Sequence, residues 1–151
     1  MADMMKFEEY IEENGSLTYT NVGTSMMPLL KQHRDLFTVK KKGRERCRRG
    51  DVVLYKRPPN RYVLHRVIEV RPRDYVILGD NCTRKEYGIT DKDMIGIMTG
   101  YVRRGREHTV SDLSYRIYSA YILNTIAPRV FVKKIKRRAK SVIKKLIYGK
   151  K

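Results

Sequence analysis

A chain of 151 residues has the length of one domain, which argues against two independently folded units. Hydrophobic residues at 41%, with 11 Tyr and no Trp, supply one modest core and exclude wholesale disorder. Two cysteines, Cys47 and Cys82, are too few and too far apart for a disulfide scaffold, and 34 basic against 16 acidic side chains give a net charge of +18.

In chain order, the first expected element is an amphipathic helix over residues 3–14, with Met4, Phe7 and Ile11 at helical spacing among glutamates and a stop at Asn14-Gly15. From Leu17 to about Arg104 the texture changes to short runs rich in Val, Ile, Tyr and Thr: LTYTNV, LFTVKKK, DVVLYKR, YVLHRVIEV, YVIL and MIGIMTGYV. Gly43, Gly50, Pro58-Pro59-Asn60, Pro72 and Gly79-Asp80-Asn81 separate them. The expected fold is therefore mainly β and antiparallel, a compact domain over residues 1–108 with its β core at about 16–104. Residues 109–151 read as a basic helical extension, opened by Ser111 and divided by Pro128.

Residues 129–151 hold 11 basic side chains and no acid, so the tail carries +11 and residues 1–128 carry +7. Phe131, Ile135, Ala139, Val142, Ile143, Leu146 and Ile147 form one apolar stripe there. Such a stripe has two uses: packing on the β domain, or lying at an anionic membrane surface. No run approaches 18 apolar residues and the N-terminus is acidic, so neither a membrane span nor an export signal is expected. The expected location is cytoplasmic, with the inner face of the membrane as an alternative seat.

Three segments hold the candidate chemistry: GTSMMPLL (Gly23–Leu30), LHRVIEV (Leu64–Val70) and LGDN (Leu78–Asn81). Serine needs a base that is neutral near pH 7 to become a nucleophile, and histidine, with an ordinary pKa of about 6.5, is such a base. A carboxylate must then hold the imidazole tautomer, and Asp80 is a candidate. Alternation along the run places His65 with Val63, Val67 and Glu69 on one face. His33 and His108 lie apart from any acidic cluster, so no metal or cofactor is expected. Cys82 reads as a partly buried thiol, Lys56 and Arg66 as surface or groove charges, and Arg44, Arg46, Arg48 and Arg49 as a solvated basic loop.

In order and rough spacing, GTSMMP, the GDVVLY segment at Gly50–Tyr55, HRVIEV and GDN resemble the sequence boxes of type I signal peptidases and their soluble relatives, the self-cleaving SOS repressors. The resemblance spans Gly23 to Gly100, and its HRVI box is similar to the Ser-His variety of the endoplasmic reticulum and archaeal enzymes. It implies Ser25 as nucleophile, His65 as general base, Asp80 or alternatively Glu86 as the carboxylate, and the Ser25 backbone N–H as oxyanion donor, with the Thr24 hydroxyl as a second. It further implies a substrate bound as an extended strand, in a cleft that Met26 and Met27 would line. This chain departs from the membrane-anchored enzymes in beginning with an acidic helix, so ordinary exported signal peptides are not the expected substrate.

Two functions follow as expectations: a serine endopeptidase acting on a peptide or protein segment, and a catalytically silent peptide- or membrane-binding module on the same fold. Nucleic-acid binding is placed last, because the roughly 20 residues before GTSMMP are too few for a helix-turn-helix domain.

Overall fold

The computed structural model describes residues 6–149. The first helix, α1, is Phe7–Asn14; residues 3–5 of the expected helix, Met4 among them, lie outside the described residues, as do 150–151 of the extension. Gly15 ends α1 in the left-handed region (φ 77°), which a residue without Cβ reaches without strain. Ile11 is buried, and Phe7 stacks on Tyr62 at 4.5 Å, so α1 covers one end of the sheet.

Among the described residues eight strands follow: β1 (Ser16–Thr20), β2 (Leu36–Lys41), β3 (Val52–Arg57), β4 (Arg61–Val70), β5 (Tyr75–Leu78), β6 (Glu86–Ile89), β7 (Met94–Arg103) and β8 (Arg106–Thr109). They form one sheet in the order β1-β2-β7-β3-β4-β5-β6, with β8 also paired to β7. Every pairing is antiparallel, as expected for a mainly β fold. Arg104 (φ 51°) and Gly105 (φ 75°) make the β7–β8 turn with the two positive φ values that match strand twist. The strands β6 and β8 were not among the expected runs; they are short, polar and mostly exposed.

The apolar runs are continuous because their strands are buried on both faces. In β3, Val52 and Leu54 enter one core with Leu17, Met26 and Phe37, while Val53 and Tyr55 enter a second with Val67, Tyr75 and Ile77. In β5, Tyr75 and Ile77 join that second core, and Val76 and Leu78 build a third with Ile68. Each such aliphatic side chain contributes ~1.5–3 kcal/mol by leaving water.

The third core is closed by Leu123 of α2 (Leu113–Asn124) and by Ile126 and Val130 of α3 (Ile126–Tyr148). Two expectations need correction here. Asp112, not Ser111, precedes α2, and its carboxylate takes the N–H and hydroxyl of Thr109 at 3.0 and 2.8 Å. Pro128 does not separate the helices: it is the third residue of α3, in the first turn, where its missing N–H has no helical acceptor to lose. The break falls at Thr125, whose hydroxyl turns back to the Tyr121 carbonyl at 2.7 Å. The tail's apolar stripe does not pack on the β domain; Phe131, Ile135, Val142, Ile143, Leu146 and Ile147 are all exposed.

Candidate functional site

Ser25 sits on the irregular segment between β1 and β2, which is fixed from beneath and from the side. Met26, Leu29 and Leu30 are buried in the first core, and buried Asn21 donates from Nδ2 to the Gly23 and Leu30 carbonyls at 2.8 and 3.3 Å. From the β5–β6 turn, the Asn81 N–H donates to the Ser25 carbonyl at 2.7 Å and its Nδ2 to the Thr24 carbonyl at 3.1 Å. The GTS and GDN segments, some 50 residues apart in sequence, are thus clamped edge to edge. Asn81 is a positioning residue that residue types alone did not single out, although its segment was noted.

His65 projects from the middle of β4, opposite Val53 on β3, and is buried. Its Nδ1 meets Glu86 Oε1 at 3.0 Å and the Tyr55 hydroxyl at 3.3 Å. The carboxylate is also held by Arg57, with Nε 3.0 Å from Oε2. An ionised carboxylate only accepts hydrogen bonds, so Nδ1 carries the proton it shares with Glu86 and, in the neutral ring, Nε2 keeps the lone pair. That side of the ring looks across Gly79. A Cβ built on Gly79 would lie 2.7 Å from Cys82 Sγ, 2.8 Å from the Ser25 carbonyl oxygen and 2.9 Å from His65 Nε2. Only a residue without a side chain lets these three groups converge.

Electrostatics follow from this packing. Burial opposes the charged His65 ring, but hydrogen bonds to Cys82 and Glu86 outweigh it and hold the His65 pKa above its ordinary value. Burial would likewise raise Glu86, yet its hydrogen bonds with His65, Tyr55 and Arg57 bring it down to about 2. Tyr55 remains a phenol, pushed up by burial and then by Glu86.

The expectation for Asp80 requires a correction of geometry. Asp80 is buried against Arg66, whose Nε and Nη2 each donate to a separate carboxylate oxygen at 2.8 Å. Tyr118 OH adds a third bond at 2.9 Å. Arg66 in turn reaches the Gly50 carbonyl, Tyr115 OH and Ser119 Oγ, so this fully buried pair docks α2 onto the sheet. The carboxylate beside His65 is Glu86. Arg66 is therefore not a groove charge, and Lys56 is paired with Glu8 of α1 at 2.8 Å.

Ser25, Thr24 and His65 line one groove of about 1460 Å³, together with Cys82, Glu86 and Tyr62. Met26 and Met27 do not line it: Met26 is a core anchor and Met27 is half-buried away from the wall. Among the described residues no hydrogen bond joins Ser25 Oγ to His65; the nucleophile and base candidates line the same groove. Among the described residues the groove's charged lining is six cations, Arg57, Arg61, Arg84, Lys85, Lys133 and Arg137, against one carboxylate, Glu86. Among the described residues no group of three or more His, Cys, Asp or Glu has metal-binding geometry.

Comparison with family models, with curated proteins and with solved structures found no match for this chain.

Proposed function

We propose that the chain is a serine endopeptidase of the signal-peptidase kind, acting on an extended peptide segment laid in the groove. Ser25 Oγ attacks the scissile carbonyl and its proton passes to His65 Nε2; the resulting imidazolium gives that proton to the leaving amine, and water repeats the cycle to release the acyl group. Glu86 holds the Nδ1–H tautomer and stabilises the imidazolium. The Ser25 backbone N–H and the Thr24 hydroxyl are the oxyanion donors of this reading. The six-to-one excess of cations in the lining favours peptides with acidic residues flanking the cut. The observation that carries the reading is the 3.0 Å contact of Glu86 with His65 Nδ1, because it leaves Nε2 as the basic nitrogen in a groove that also contains Ser25.

The second reading, a peptide-binding module without turnover, is supported by the missing Ser25–His65 hydrogen bond and by Cys82 standing beside Nε2. Mass spectrometry of a diverse peptide pool incubated with the wild type, Ser25→Ala and His65→Ala separates the two. Cuts made only by the wild type, enriched near Asp and Glu, are expected of the peptidase. Peptide retention that is equal in all three proteins, with no cut in any, would overturn it in favour of the binding module.

A further inference from the structure

The 23 residues of α3 present two opposite faces. At 100° per residue, Ile126, Val130, Lys133 and Arg137 fall on one side. All four meet the body: Ile126 and Val130 pack on the third core, Lys133 Nζ donates to Asn81 Oδ1 at 2.7 Å, and Arg137 lines the groove. Arg129, beside them, donates to the Asp80 and Ile122 carbonyls at 2.8 and 2.9 Å. The root of the helix is thus locked to the turn that clamps Ser25.

Diametrically opposite lie Phe131, Ile135, Ala139, Val142 and Leu146, flanked by Val132 and Ile143. This stripe points away from the domain, with Phe131 65%, Ile135 50%, Val142 55% and Leu146 71% exposed. The helix carries nine Lys and Arg and no acid, and every one of those cations falls outside the apolar arc. No helix among the described residues is long and apolar enough to cross a membrane. A continuous apolar face bordered by cations on both sides matches a surface that is apolar below and anionic at its rim. Duplex nucleic acid would use the charge and leave the stripe in water, and a second copy of α3 would bury the stripe while crowding like charges along its borders.

We propose that α3 lies along an anionic lipid bilayer, with the Phe131–Leu146 stripe in the acyl boundary and its lysines and arginines at the headgroups. Because the body is attached to the opposite face, the helix acts as a skid beneath the groove. The groove rim formed by Lys133 and Arg137 is held about one helix diameter, roughly 10 Å, above the lipid. The segment admitted there is one lying close to the membrane surface. Vesicle binding does not depend on the peptidase reading and is measured without any cleavage.

The chain has no Trp, so one introduced indole reports on one position. The full chain carrying Leu146→Trp, on the stripe, or Lys144→Trp, on the opposite face, is titrated with phosphatidylcholine vesicles and with vesicles containing phosphatidylglycerol. The expected result is a blue shift and protection from an aqueous quencher for Leu146→Trp alone, on anionic vesicles alone. Ile135→Asp combined with Leu146→Asp, both at exposed positions, should weaken flotation with those vesicles by about tenfold or more. Equal shifts at both positions, binding to neutral vesicles of the same strength, or full binding by the double aspartate variant would overturn the proposal. So would duplex DNA binding without vesicle binding, or a stripe-dependent dimer that excludes lipid.

Discussion

Replacing Glu86 by Gln keeps a hydrogen-bond acceptor beside His65 Nδ1 and removes its charge, so the change isolates the electrostatic part of the contact. The Glu86 pKa is brought from 4.5 to about 2 by three partners, His65, Tyr55 and Arg57, against the effect of burial. Coupling between two titrating groups is reciprocal, so Glu86→Gln should lower the His65 pKa from its raised value. The assay is an NMR titration of the three histidine ring protons, with the His65 resonance assigned from its loss in His65→Ala. If the peptidase reading holds, the rise of rate with pH, which lies above the ordinary histidine range in the wild type, moves down by the same amount. The stability effects have opposite signs. The raised His65 pKa stabilises the fold below the unfolded histidine pKa, and that contribution fades as pH rises through the folded value. The lowered Glu86 pKa stabilises above 4.5, and that contribution fades as pH falls toward about 2. An unchanged His65 titration in Glu86→Gln, or the same shift produced by Asp80→Asn, would refute the assignment of Glu86 as its partner.

Asp80→Asn should act on the fold instead, since it strips the charge partner from a fully buried guanidinium; a loss of ~3–5 kcal/mol in chemical denaturation is expected. A loss below about 1 kcal/mol would mean that Gly50, Tyr115 and Ser119 satisfy Arg66 without it. The two thiols should also separate. Cys47 is buried and burial pushes its pKa up to about 11, whereas Cys82 is half-buried on the groove beside His65. Iodoacetamide on the native protein should give one adduct, on Cys82. Comparable labelling of Cys47 would contradict its burial, with mass spectrometry of digests as the readout.

The parts of this molecule that can be read from its sequence are those where one local pattern decides the outcome. DVVLY and YVIL are uninterrupted apolar runs because both faces of β3 and β5 are covered, and the stop of α1 at Gly15 follows from backbone freedom alone. His65 could be placed by alternation on the face of Val63 and Val67, which is where it sits in the second core's neighbourhood. The carboxylates could not be sorted in this way. Asp80 and Glu86 each follow the same strand within eight residues, and what separates them is a partner 14 residues before Asp80 and another 21 before Glu86. Arg66 looked like a groove charge because period-2 patterning does not distinguish a solvated arginine from one paired inside the protein. Glu86 is carried by a strand that left no apolar signature, since an edge strand with one face in water needs none. The methionines misled for the reverse reason: Met26 is apolar and adjacent to Ser25, yet its side chain faces down into the core.

That edge placement has a consequence for temperature. His65 stands on a strand paired on both sides, but Glu86 belongs to β6, which terminates the sheet and, among the described residues, pairs with β5 at Tyr75 and Ile77. Outermost strands with few partners are the first to separate on warming. Any opening of β6 would carry the negative charge away from His65 and leave a weaker base, so the proton affinity of this site depends on how firmly one short strand is held, by its pairing with β5 and by the Arg57–Glu86 ion pair.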